Sequence, residues 1–148
     1  MSTTSGTAVS YTRSVVAALR KEFGADAVHR GRHPSPVGPF PFVSVAGRSE
    51  RSTQGPPRYW TRRATLDVVA WEAAADLTQD ERVEAAEELL DRARNAIEAA
   101  KADPADALYL AEDLEVTGAA VGWDLDLVPD GYTVAVLTVE FGYRERGT

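Results

Sequence analysis

The sequence predicts an α+β domain: an antiparallel or mixed sheet of about four strands, a long helix and an N-terminal helix packed on one face, and an extended hairpin arm. Three observations predict it. The stretch TQDERVEAAEELLDRARNAIEAAK (78–101) repeats apolar residues every three or four positions, the period of an amphipathic helix. The stretches 59–71 and 132–143 instead alternate apolar and polar residues, the period of half-buried strands. The order helix, strand, strand, long helix, strand, strand suits antiparallel neighbours with helices on one side.

At 148 residues the chain holds one hydrophobic core, burying roughly 70% of its unfolded surface. Residues 1–9 are rich in Ser, Thr and Gly and read as a flexible tail, and 146–148 as a short C-terminal one, leaving a single domain over 10–145. From Ser10, a candidate N-cap, Tyr11, Val15, Val16, Leu19 and Phe23 fall on one helical face, and Gly24 supplies the stop. Four prolines and two glycines between Gly31 and Pro41 rule out regular structure through that connector. Phe42–Ala46 is a short β-branched strand, and Tyr59–Trp71 places Ala64, Leu66, Val68 and Ala70 on one face. The two are expected to pair as a hairpin. Their connection, 47–58, contains Gly55 and Pro56-Pro57 and is long for a hairpin loop, so it reads as an extended, partly disordered arm.

Thr78 and Glu81 form a capping-box pair at the start of the long helix. Val83, Ala86, Leu90, Ala93, Ile97 and Ala100 make its apolar stripe, widened by Leu89. Asp103-Pro104 then resembles a cap followed by proline in the first turn, predicting a short helix to Leu110. Val121, Trp123, Leu125 and Leu127 alternate with polar positions, Pro129-Asp130-Gly131 turns the chain, and Ala135, Leu137, Val139, Phe141 and Tyr143 share a face. Leu114–Val116 is expected to extend the first strand of that terminal hairpin, with a bulge at Gly118.

Several function classes are excluded by composition. Without Cys there is no disulfide framework, thiolate metal site or cysteine nucleophile. No run approaches the roughly 18 apolar residues of a membrane span, and the N-terminal segment lacks a signal-peptide pattern, so the reading is a soluble protein made in the cytoplasm. His29 and His33 are spaced by four, but Gly31 and Pro34 break any helix between them and Arg30 and Arg32 repel a cation. Asp124 and Asp126 read as the wet face of a strand rather than an acid/base pair. Neither a nucleophile elbow nor a Gly-rich phosphate loop occurs. No enzyme, metal or cofactor is expected.

The net charge of −7 conceals an asymmetry: ten Lys/Arg against four Asp/Glu in residues 1–70, six against nineteen in 71–148. Such a split can present two unlike surfaces, or simply solvated charge over both. Arg48, Arg51, Arg58, Arg62 and Arg63 lie on and around the arm with Tyr59 and Trp60. Basic and aromatic residues interleaved in this way suit a nucleic acid, a protein interface or a solvated loop. The acidic total argues against a dedicated nucleic-acid binder.

This layout, with an N-terminal helix, a Pro-rich connector, a short strand, a long arm, the strand RRATLDVVAWEA, a capped helix beginning TQDERVEAAEELL and a closing hairpin ending in AVLTVEFGYRE, resembles the tail terminator (tail completion) proteins of long-tailed bacteriophages and phage-tail-like particles. The resemblance implies a non-catalytic protomer of a hexameric ring on the head-proximal end of the tail tube. Its partners would be other copies, the tail tube protein and the head–tail connector, with DNA passing through the ring. A neck protein of the same particle and a small non-catalytic binding module are the alternative readings.

Overall fold

A computed structural model describes residues 8–33, 36, 38–55, 59–120 and 131–146. Its elements are α1 (Ala8–Phe23), β1 (Val28–Arg30), β2 (Phe42–Gly55), β3 (Tyr59–Ala73), α2 (Gln79–Ala102), a 3-10 helix (Ala107–Leu110), β4 (Glu112–Ala120) and β5 (Tyr132–Arg146). Among the described residues the strands form one mixed five-stranded sheet in the order β1-β2-β3-β5-β4. All neighbours are antiparallel except β1 and β2, which run parallel.

Alternation decides what each face of the sheet touches. Ala64, Leu66, Val68 and Ala70 of β3, and Ala135, Leu137, Val139, Phe141 and Tyr143 of β5, point to the helices and are buried in the main core, as the period of two predicts. Tyr11, Val15, Val16 and Leu19 of α1 and Ala86, Leu89, Ala93, Ile97 and Ala100 of α2 cover them. The α2 stripe is centred on Leu89, with Val83 and Leu90 only half-buried. The opposite face carries a second cluster. Phe42, Trp71 and Val134 stand in one row across β2, β3 and β5, all buried.

The capping box forms as expected. The Glu81 amide donates to Thr78 Oγ1 at 3.2 Å and the Thr78 amide donates to Glu81 Oε1 at 3.0 Å, while Thr133 of β5 donates to the Arg82 carbonyl at 2.7 Å and ties this end of α2 to the sheet. The Thr78 backbone N–H, then its side chain, hold the Glu81 carboxyl below the usual range. Because the folded-state value is depressed, this stabilisation is present above the unfolded-state pKa and lost as pH falls through the folded-state one. Thr78→Ala should cost about 1 kcal/mol near neutral pH. In an acid titration, the stability difference between wild type and Glu81→Gln should shrink below the ordinary glutamate range; a difference independent of pH would contradict the capping role.

Five expectations change. A fifth strand, β1, precedes the connector and pairs through Val28↔Val43 to Arg30↔Val45. Helix α1 begins at Ala8, within the expected tail. The hairpin arm is present, but Ser49–Gly55 is a regular ladder with Tyr59–Thr65 rather than an irregular segment, and β5 runs on to Arg146 to make the arm three-stranded. A bulge between Ala46 and Ser49 starts it. Gly47 there has φ +74°, and a Cβ would lie 2.9 Å from Asp67 Oδ2, so glycine is required. Finally, Pro104 starts no helix: Asp103 caps the end of α2, and Asp106 caps the 3-10 helix. The β4 bulge falls between Glu112 and Glu115, where Asp113 has φ 48°, not at Gly118. Gly118 pairs regularly with Leu137 and leaves room for Leu90, whose Cδ1 would lie 2.3 Å from a Cβ there. The strand expected at 121–127 and its turn at 129–130 lie outside the described residues, as do the tails 1–7 and 147–148.

Candidate assembly surface

In the arm, β3 is the middle strand, flanked by β2 over Ser49–Gly55 and by β5 over Glu140–Arg146. Its alternation separates the arginines that the sequence groups together. Trp60 and Arg62 share the helix side with Ala64, whereas Arg63 shares the open side with Thr65 and, through the register, with Arg51. On the helix side, Arg62 Nη1 donates to Ser52 Oγ at 2.9 Å and its guanidinium lies 5.6 Å from the Trp60 ring centre. Beside it, the Tyr143 hydroxyl donates to Glu50 Oε1 at 2.9 Å. Together these side chains form a half-buried patch joining aromatic area to charge, the composition of an interface anchor.

Arg63 has a different role. Its Nε and Nη2 donate to Glu140 Oε2 at 3.3 and 3.2 Å, and Nη2 also donates to the Asp113 carbonyl at 3.3 Å and lies 3.6 Å from Glu115 Oε2. The side chain is only 25% exposed, so this forked contact ties β3, β5 and β4 across the open face. Arg144 to Glu112, at 3.6 Å, adds a second tie from β5 to β4. Sequence reading missed Arg144 and the three glutamates because their pairing depends on strand register. Arg51 is exposed on the β2 edge. Arg48 lies in the bulged part of β2 and Tyr59 opens β3. Arg58 lies outside the described residues.

An acidic surface faces solvent elsewhere. On α2, Glu84, Glu87 and Glu88 are exposed and carry no ion pair among the described residues. Further along, Arg94 is engaged with Asp91 and Glu98, and Arg92 lies over the Phe23 ring at 4.4 Å and 3.9 Å from Glu22. The charge split is thus partly neutralised within the protomer, with the arm and the first turns of α2 left unlike.

The histidines belong to the open-face cluster. His29 stacks on Phe42 with ring centres 4.4 Å apart, and His33 meets the same ring edge-on at 5.3 Å. Among the described residues no three His, Cys, Asp or Glu side chains are grouped for a metal. A cleft of about 560 Å³ between the start of α1 and β2 is lined by Val9, Thr12, Arg30, Arg32 and Leu66; Arg32 there lies 3.8 Å from Asp67.

No protein-family model matches the chain. A search among curated proteins finds no match either. Among solved structures, a chain in the virion of a native gene transfer agent (GTA) particle is similar, with a TM-score of 0.53 at 13% identity, over 93% of this chain and 93% of that one. At that identity the likeness is one of fold, and it extends over nearly the whole of both chains.

Proposed function

We propose that this protein is a non-enzymatic virion structural protein, a tail terminator that forms a hexameric ring at the head-proximal end of a tail tube. There it stops tube growth and offers the head-joining surface. The observation that best supports the reading is the whole-length likeness to a chain of a gene transfer agent virion. A cyclic ring needs two unlike patches on each protomer. The arm, with its Arg62–Trp60 patch, and the acidic surface of Glu84, Glu87 and Glu88 on α2 supply such a pair. Exposed ion pairs add only about 0 to 1 kcal/mol each, so charge orients the docking while desolvated aromatic area holds it.

Mass measurement and electron microscopy with and without tail tubes test the proposal. Wild type should form rings that cap tubes, whereas an Arg51→Glu/Arg58→Glu/Arg62→Glu variant should fold normally and fail to cap. Arg63 is left out of that variant because it is an internal tie: Arg63→Ala should lower protomer stability by about 1 kcal/mol. A wild type that forms no ring in either setting would sink the proposal.

A further inference from the structure

We infer that the ring closes by sheet extension, the outer edge of β4 (Val116–Ala120) in one copy pairing with the outer edge of the β2 arm (Ser49–Gly55) in the next. The inference rests on the ring proposed above and names the surfaces that make it. A strand edge is a row of unpaired backbone donors and acceptors, which proteins either blunt or use. Three edges matter in this sheet. The outer edge of β1 is three residues long. Because β1 reaches only Val43–Val45 of β2, Ser49–Gly55 has β3 on one side and, among the described residues, no strand on the other. The last edge is β4, the opposite border of the sheet among the described residues.

The two halves of β4 are built differently. Glu112, Asp113 and Glu115 put charge and a bulge on the first half, the usual devices against strand addition. From Val116 to Ala120 there is no charge and no proline, and the ladder with β5 is unbroken from Val116↔Val139 to Ala120↔Ala135. Thr117, Gly118 and Ala119 are exposed, so a strand can approach without displacing a large side chain. The β2 arm edge is likewise regular from Ser49 to Gly55 and contains no proline.

A second copy is the occupant that charge and geometry select. Leaving out Arg63, which is tied to Glu140 and Glu115 within the protomer, residues 47–63 carry four arginines against Glu50. By contrast, β4 carries three acids and no base, two of them, Glu112 and Glu115, already paired with Arg144 and Arg63. Complementary fields of this kind favour and orient the encounter, and ladder hydrogen bonds supply affinity in strand addition. The two edges lie on opposite borders of the same sheet. Each copy therefore offers one of each in a head-to-tail sense, the arrangement that closes into a ring.

The absence of cysteine gives a clean test. Thr117, Ser49, Arg51 and Thr53 all share the open face, their ladder partners being Thr138, Thr65, Arg63 and Thr61. Thr117→Cys is combined in turn with Ser49→Cys, Arg51→Cys and Thr53→Cys, and each double variant is oxidised under ring-forming conditions. At least one should give a disulfide-linked ladder up to the ring mass on a non-reducing gel, since bridging needs Cα atoms within about 7 Å. Independently of any substitution, amide exchange at Val116–Ala120 of wild type should slow about tenfold or more on ring formation. Wild-type rings with no ladder and unchanged exchange would overturn sheet extension while leaving the ring standing. Dimers from Thr117→Cys alone would also overturn it, because β4 would then pair with itself about a twofold axis. No ring at all, with or without tubes, would overturn the functional reading beneath it.

Discussion

Phe141→Ala is expected to cost about 3–5 kcal/mol, the range for deleting a buried aromatic ring, and to lower the melting temperature by roughly 10 °C in a domain of this size. Phe141 is fully buried. Its ring meets Tyr11 of α1 edge-on, with centres 5.4 Å apart, and Tyr11 meets Tyr143 in the same way at 5.9 Å. These aromatics sit where β5 meets α1, at the base of the arm. The vacated volume therefore cannot be refilled by a shift of α1 alone, because Val15, Val16 and Leu19 anchor that helix to the rest of the core. A double-mutant cycle with Tyr11→Ala should reveal a coupling of about 0.5–1.5 kcal/mol beyond area loss. Denaturant unfolding measures both. A loss below about 1 kcal/mol for Phe141→Ala would mean that α1 does not pack on β5 as described.

Phe141 also shows what the sequence makes legible. Its place on the buried face follows from alternation with Ala135, Leu137, Val139 and Tyr143, and the core-facing residues of β3 follow in the same way. The capping box is equally local, since Thr78 and Glu81 are three residues apart and need no tertiary partner. What could not be read was non-local. β1 is three residues long, too short to display a period, and is a strand only because β2 lies beside it. The arm's composition, polar with glycine and prolines, resembles a loop. It is a ladder because β3 is paired on both sides.

Gly118 illustrates the same limit, for a glycine in a strand marks either a bulge or a close approach. Only the position of Leu90 decides for the approach. The candidate surface was legible as a set of residues but not as a geometry. Adjacent in sequence, Arg62 and Arg63 project to opposite faces. One therefore joins Trp60, while the other is locked to Glu140 and Glu115.

Phe42→Ala should be comparably damaging, at about 3–5 kcal/mol, and should also release the connector. Phe42 is fully buried although it faces away from the helices. Trp71 covers it from β3 at 5.5 Å, His29 stacks on it from β1, and His33 meets its edge from the connector. One ring thus joins the border strand β1, the middle of the sheet and His33 at the start of the connector. Phe42→Leu should recover part of the loss, because it restores apolar volume without the flat stacking surface. His29→Ala should cost less than Phe42→Ala, since it removes one neighbour and leaves the Phe42–Trp71–Val134 row in place. Two readouts separate a local effect from a global one. Denaturant midpoints report the overall loss, and amide exchange at Val28–Arg30 reports the β1–β2 pairing, which should open before the β3–β5 ladder does. If Phe42→Ala left β1 as protected as in wild type, the aromatic contact would not be what holds that strand to the sheet.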